Sequence, residues 1–395
     1  MTLRIVDVCA FYTPHGGGVR TYIERKLRAA TNGEQAVFVV VPGERDGMER
    51  VADAGWIVTI ASPRFPLDRR YRYFADEPAL HAVLDQLRPD VIEASSPWSS
   101  PAMVARWRGS AVRSLVMHAD PLSAYAYRWF GSVAHRQTID RGFDWFWRHL
   151  RRLDDQFDIV VSASKSLSTR LSDGGLRKVD TIAMGVEPDV FSPTLRDEAL
   201  RTRMLARCGL GPNATLLVGA GRLAPEKRWP MVIEAVTAAG NEHPVGLVLF
   251  GNGRDKARVV RATAHNPHVH LAAPINDRAT FATMLASADA LIHGCEAETF
   301  CMIAAEAKAS GLPMIVPDCG GTADQFTVGH GETYAACDTD ALSRAVQTFV
   351  NSAPDRQRAA ASKTAAHQPD MASHFRALFK RYALLSTSPA RRIAC

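Results

Sequence analysis

Two glutamates stand eight positions apart in the run ETFCMIAAEAKASG, Glu298 and Glu306, with Gly311 as a stop and Pro313 beyond it. Read as one short helix, that separation turns the side chain by only about 80° while advancing it roughly 12 Å, so both carboxylates face one elongated ligand. Phe300, Met302, Ile303, Ala304 and Ala305 fill the interval, and a strand over 290–293 leads into it. Free N–H groups at a helix start attract an anion. A polyol near Glu298, a phosphate at the helix start and a ribose diol near Glu306 together describe a nucleotide sugar. The competing reading makes Glu298 an ordinary first-turn acid and Glu306 a solvated surface residue. Glu306 fits it poorly, because Ala304, Ala305, Ala307 and Ala309 offer no polar face and a carboxylate among them needs a partner.

Cations come from another stretch. After the apolar run TLLVGAG, the connection GAGRLAPEKRWPMVIEAV carries Arg222 and Lys227 ahead of a helix. Arg as a planar fork and Lys as a point charge could neutralise a pyrophosphate there; the alternative is two solvated surface charges. His118 ends the apolar run RSLVMH, where it is either structural or turned toward a ligand. Near the N-terminus, TPHGGGVRTYIERKL sets Gly16, Gly17 and Gly18 before a helix, which permits close backbone approach but equally suits a flexible turn. The pattern is not GxGxxG, and the second apolar run ends in Val41 and Pro42 rather than in a ribose-binding acid. That argues against a dinucleotide-dependent dehydrogenase.

These loops need strands to hold them. Runs at 3–9, 36–41, 56–61, 90–95, 113–118 and 158–163 read as buried strands, as do 215–221, 245–251, 268–273, 289–294 and 313–317. Helix-length stretches separate most of them, which favours parallel sheets flanked by helices, with ligands outside the C-terminal strand ends. A length of 395 residues suggests two domains, and GVEPDVFSPTLRDE at 185–198 reads as the linker. The hydrophobic fraction of 47% and charged fraction of 22% are those of a soluble globular protein, and no apolar run is long enough for a membrane span. MTLRIVDVCAFY enters a strand pattern without a signal-peptide layout, and the seven cysteines are scattered without CxxC spacing. Neither a disulfide framework nor a zinc site is expected, and the cytoplasm is the expected compartment.

The segments TPHGGGV, SASKSLSTRL with KVDTIAMGVEPDVFSP (162–193), GRLAPEK (221–227) and ETFCMIAAEAKASGLPMIVPDCGG (298–321), in this order, resemble family 4 glycosyltransferases across nearly the whole chain. The resemblance implies the α/β GT-B fold: two Rossmann-like doubly wound domains, 1–190 on the acceptor side and 191–370 holding the nucleotide sugar, facing across a cleft. A terminal helix within 371–395 would pack back on the first domain. By the same resemblance Glu298 contacts the donor sugar, Glu306 holds the ribose, and Arg222 and Lys227 bind the diphosphate. His118 reaches the sugar from the N-terminal domain. Gly17, Gly18 and the backbone of Phe300, Cys301 and Met302 complete the donor site. Thr299 and Cys301 replace glycines common in the family, and His293-Gly294-Cys295 replaces a Pro-Ser pair.

The implied reaction is retaining transfer of a mannose- or glucose-type hexose from a GDP- or UDP-sugar to a hydroxyl of a lipid or saccharide acceptor, as in glycolipid, lipopolysaccharide or exopolysaccharide synthesis. No cofactor is expected beyond the sugar nucleotide. There is no DxD-like cluster after a strand, so no required metal is expected either. Two other functions fit the same scaffold: a nucleotide-sugar epimerase or isomerase, and a non-catalytic sugar-nucleotide-binding protein. The segment 125–152 mixes Trp129, Trp145 and Trp147 with Arg128, Arg136, Arg141, Arg148, Arg151 and Arg152, and the chain's net charge is +6. Either it meets an anionic lipid, placing the protein peripherally on the inner face of the cytoplasmic membrane, or its helix buries Trp145 and other rings in the core with the arginines solvated. Nucleic acid is not an expected partner, because no recognisable binding module accompanies the charge.

Overall fold

The computed structural model describes residues 2–10, 12, 18–66, 71–95, 99–118, 120, 122, 136–187 and 189–387. Two compact units emerge, one built on residues up to 122, 130–183 and 372 onward, the other on Met184–Met371. Each has one sheet.

The first sheet has the order β3-β4-β2-β1-β5-β6-β7-β8. Its strands are β1 (Leu3–Val8), β2 (Gln35–Gly43), β3 (Gly47–Ala52), β4 (Gly55–Ala61), β5 (Val91–Ala94), β6 (Val112–Met117), β7 (Ile159–Ser162) and β8 (Val179–Thr181). The second has the order β11-β10-β9-β12-β13-β14. It contains β9 (Thr215–Ala220), β10 (Val245–Phe250), β11 (Val269–Ala272), β12 (Ala290–Ile292), β13 (Met314–Pro317) and β14 (Gly331–Tyr334). All pairings are parallel except β3 with β4. Central parallel strands are covered on both faces, which is why VFVVV and TLLVGA are continuous apolar runs. Strands β3, β8 and β14 escape an apolar-run reading because they are sheet edges with polar sequences: MERV, VDT and GETY.

The first core contains charge. Lys26, on the helix Gly18–Ala29, is fully buried with Asp7 of β1 at 2.9 Å and in contact with Glu93 of β5. Ser95 Oγ donates to Asp7 at 2.6 Å, and Tyr382 hydroxyl donates to Glu93. Burial pushes the Lys26 pKa down, and Asp7 opposes the shift. The terminal helix Met371–Ser386 is fastened here by Tyr382 and by buried Phe375, Leu378 and Phe379.

The boundary between the units falls at Ala183–Met184, directly before the expected linker 185–198, and that stretch is held in place: Val186 bridges Asp370, Val186 N–H donates to Pro369 at 2.9 Å, and Asp197 caps the helix Glu198–Arg207. In the basic aromatic segment, the helix Asp144–Gln156 buries Phe146, Trp147, Leu150 and Leu153, while Trp145 is 54% exposed. Burial therefore falls on the neighbouring tryptophan, and Arg148 and Arg151 pair with Asp144 at 3.0 and 3.2 Å. Trp129, Arg128 and Gly17 lie outside the described residues.

Candidate functional site

In the second sheet the strand order reverses between β9 and β12, and the loops leaving those two strands flank the switch point where doubly wound sheets bind ligands. The loop after β9 carries Arg222 and Lys227; the loop after β12 runs from His293 to Cys301. They touch through backbone. A Cβ added at Gly294 would lie 2.7 Å from Lys227 oxygen, so this approach requires glycine. Arg228 locks the same junction with a double hydrogen bond to Glu296 at 2.8 and 2.5 Å.

The single-helix reading of 298–311 fails at its N-terminal end. The helix spans Met302–Ala309, and Cys301 before it adopts φ 65°, ψ 76°, a left-handed conformation that interrupts helical geometry. Glu298 is therefore supplied by the loop and Glu306 by the helix, and the rotation argument does not apply to the pair. The left-handed backbone also accounts for glycine being common in the family at the place of Cys301. Gly321 N–H donates to Glu298 backbone oxygen at 2.7 Å, fixing the loop from the other side.

Glu298 sits among cationic and polar partners. Lys227 Nζ contacts its Oε1, and His293 Nε2 lies 3.1 Å from the same oxygen. The pair is largely buried, with side-chain exposures of 15% for Lys227 and 19% for Glu298. Burial alone would raise the Glu298 pKa, but Lys227 and His293 hold it far below the carboxylate range. Lys227 moves upward instead, burial being outweighed by Glu298. His293 is 0% exposed; burial disfavours its imidazolium, yet Cys301, Cys295 and Glu298 around it raise its pKa well above the ordinary value. Arg222 does not join Lys227. Its side chain is 78% exposed and pairs with Glu226 at 3.1 Å, while its backbone oxygen accepts from Trp229 Nε1 at 3.1 Å.

Glu306 is buried and meets Arg278 at 2.5 Å. Arg278 also reaches Glu187 at 3.2 Å and lies over the rings of Phe191 and Phe281 at 4.9 and 5.5 Å. Glu306 thus has the partner its alanine surroundings demanded. Phe300 and Cys301 are buried and Met302 is half-buried at the helix start.

His118 lies in the first unit, at the end of β6. Its ring packs edge-on against Tyr22 with centroids 4.9 Å apart. Tyr22 hydroxyl lies 3.0 Å from His374 Nε2, and His374 Nδ1 lies 3.0 Å from Ala183 oxygen. A carbonyl only accepts, so His374 carries its proton on Nδ1 and Tyr22 donates to Nε2. Burial pushes the His118 pKa down to about 4. Gly18 begins the helix Gly18–Ala29 with open space where a Cβ would be.

Sequence reading missed Arg278, Glu187, His293 and Glu296. Arg278 was within its reach, because DR at 277–278 follows a strand run just as Lys227 does. Glu187 carries no such signal, since its partner is 91 positions away. His293, Cys295 and Glu298 offer ligand atoms all within 4.8 Å of one another, a possible cation-binding set.

Comparison with known proteins decides the family. The family described as glycosyl transferases group 1 matches residues 206–367, and glycosyltransferase family 4 matches 16–190. A GDP-mannose-dependent alpha-mannosyltransferase of Mycobacterium tuberculosis is 30% identical over 335 residues, 82% of each chain. The chain belongs to the family 4 glycosyltransferases. Another relative from Mycobacterium tuberculosis, a GDP-mannose-dependent alpha-(1-6)-phosphatidylinositol dimannoside mannosyltransferase, is 29% identical over 362 residues, 90% of each chain. Among solved structures, sucrose-phosphate synthase from Thermosynechococcus elongatus superposes with TM-score 0.74 at 17% identity, covering 97% of this chain and 99% of its own. Anabaena HepE in complex with UDP and glucose gives TM-score 0.68 at 16% identity, covering 96% and 99%. The fold of this family 4 enzyme is GT-B, and its reaction class is hexosyl transfer from a nucleoside-diphosphate sugar.

Proposed function

We propose that this enzyme is a retaining mannosyltransferase that moves mannose from GDP-mannose to a hydroxyl of a phosphatidylinositol-mannoside type of glycolipid. The observation that carries the reading is a pair of carboxylates, Glu298 and Glu306, each held by a cation beside the sheet's switch point. The choice of GDP-mannose and a glycolipid rests on relatives that match over most of the chain. Exposed Trp145 on a helix with Arg148 and Arg152 supports a lipid-bound acceptor and peripheral membrane contact. Among the described residues no helix is long and apolar enough to cross a membrane.

In this reading the acceptor hydroxyl approaches the anomeric carbon on the face from which the diphosphate leaves. The bond from carbon to phosphate oxygen breaks, the bond to the acceptor oxygen forms, and the hydroxyl proton passes to the leaving phosphate. Negative charge grows on that phosphate. Lys227 moves from Glu298 onto it, and exposed Arg222 swings in beside it. Glu298, released from Lys227, orients the sugar hydroxyls and supports positive charge at the anomeric carbon. Ribose hydroxyls exchange with Arg278 for Glu306, while the backbone N–H groups of Phe300, Cys301 and Met302 face the phosphate. His118 acts on the sugar during the chemical step, with its neutral imidazole set by burial. These groups supply the charge stabilisation without a divalent ion.

The test is transfer to a phosphatidylinositol mannoside in vesicles, with GDP-mannose and UDP-glucose compared and a chelator arm included. The expected product is an α-mannoside from GDP-mannose, formed at an unchanged rate after chelation. A β-anomer, preference for UDP-glucose, or loss of activity on chelation would each overturn the corresponding part of the proposal. His118→Ala should lower turnover and leave GDP affinity intact.

A further inference from the structure

The loop after β12 combines ligand types that no sugar requires. His293 and Cys295 are buried, at 0% and 2% exposure, and both lie beside Glu298. Cys301 Sγ stands 3.8 Å from His293 Nε2, and Glu298 Oε1 stands 3.1 Å from it. Around a tetrahedral zinc ion, with bonds of about 2.0–2.3 Å, neighbouring ligand atoms are roughly 3–4 Å apart. The ligand atoms of His293, Cys295 and Glu298 lie within 4.8 Å of one another, so small side-chain shifts bring them to that spacing. His293 Nδ1 is buried and makes no hydrogen bond among the described residues. An imidazole with thiol and one carboxylate is a borderline-soft set that zinc takes and magnesium, which demands oxygen and water, does not.

We infer that His293, Cys295 and Glu298, with Cys301 as an adjacent second thiol, form an inhibitory site for a zinc-class divalent cation that competes with the sugar nucleotide for Glu298. The competition rests on the proposed role of Glu298; metal binding itself does not. Binding balances simply. The Cys295 thiol releases its proton to solvent, His293 gives a nitrogen lone pair after releasing any proton it holds there, and Glu298 gives a carboxylate oxygen. The Lys227 ammonium must leave that oxygen, because two cations at contact repel strongly in a poorly solvated site. The ion then blocks the carboxylate that the donor sugar needs. Both thiols and the imidazole come from the one stretch HGCEAETFC.

Cobalt(II) reads the site without any transfer assay. Added to the reduced full-length protein, it should give one equivalent of a tetrahedral spectrum with a thiolate-to-cobalt band, displaced by zinc and not by magnesium. Cys295→Ala and Cys295→Ser should each weaken zinc binding by roughly tenfold or more. Absence of the thiolate band, or unchanged affinity in both folded variants, would overturn the site. In the transfer assay zinc should raise the apparent KM for the donor, with each Cys295 variant, normalised to its own zinc-free rate, needing at least about tenfold more zinc. Binding through Cys295 without competition against the donor would overturn the inhibitory role. If the chain transfers no mannose at all, the cobalt titration still decides whether the site exists.

Discussion

Lys26 and Lys227 meet the same kind of partner in different surroundings. Lys26 and its carboxylates Asp7 and Glu93 show 0% side-chain exposure, and β1, β5 and the helix Gly18–Ala29 converge on them. Lys227 and Glu298 lie in loops at 15% and 19% exposure, and Arg278 over Glu306 is 39% exposed. A fully enclosed ion pair has nowhere to send either charge, so it acts as a fastening. A pair at the rim can trade one partner for a ligand. Chemical identity alone does not separate the two; access does.

The largest expected effect breaks the enclosed cluster. Lys26→Met leaves two carboxylates facing one another without a cation and should destabilise the first unit by about 3–5 kcal/mol, read by urea unfolding. A loss below about 1 kcal/mol would show that the cluster is no more a fastening than a surface pair is. At the rim the pattern should invert: Lys227→Ala should slow transfer by roughly 100-fold or more while changing stability far less than Lys26→Met does. Equal damage to stability by both variants would erase the distinction.

A pH scan sharpens it further. Burial pushes both His118 and His374 down to about 4 in the folded state, from 6.5. The unfolded chain therefore binds more protons between those values, so the stability they contribute is present above pH 6.5 and is lost as pH falls toward 4. By pH 5 each should have cost about 2 kcal/mol. Following unfolding at pH 7.5 and pH 5 in the wild type and in His374→Gln checks the sign, since the variant should lose less stability. Glu306→Gln comes next, with an expected tenfold weakening of GDP binding by calorimetry, about 1.4 kcal/mol. Unaltered affinity would remove its ribose role. Smallest is Arg222→Ala on stability: a side chain 78% exposed should change unfolding by less than about 0.5 kcal/mol, although transfer slows.

Much of this arrangement was legible in the chain. Runs such as VFVVV, TLLVGA and VGLVLF can only be strands covered on both faces, so two parallel sheets and the loops at their C-terminal ends follow from hydrophobic continuity. Glu306 among alanines announced a buried carboxylate in need of a partner. The failures have a common cause. Edge strands GETY and MERV carry no burial signal, because half of their surroundings is solvent. The eight-residue spacing of Glu298 and Glu306 invited a single helix, but Cys301 adopts a left-handed backbone that side-chain periodicity cannot reveal.

By itself, then, the sequence determined which groups exist and which stretches must be buried, since transfer free energy is a property of local composition. It supplied the carboxylates, the cations and the family resemblance. Only tertiary structure decided their partners: Lys227 on Glu298 across 71 positions, Arg278 on Glu306 across 28, and Arg278 on Glu187 across 91. It also turned Arg222 outward while keeping Lys227 in, although the two share one short loop. Charges act through space over a few ångströms, and those distances are fixed by how the strands stack rather than by separation along the chain.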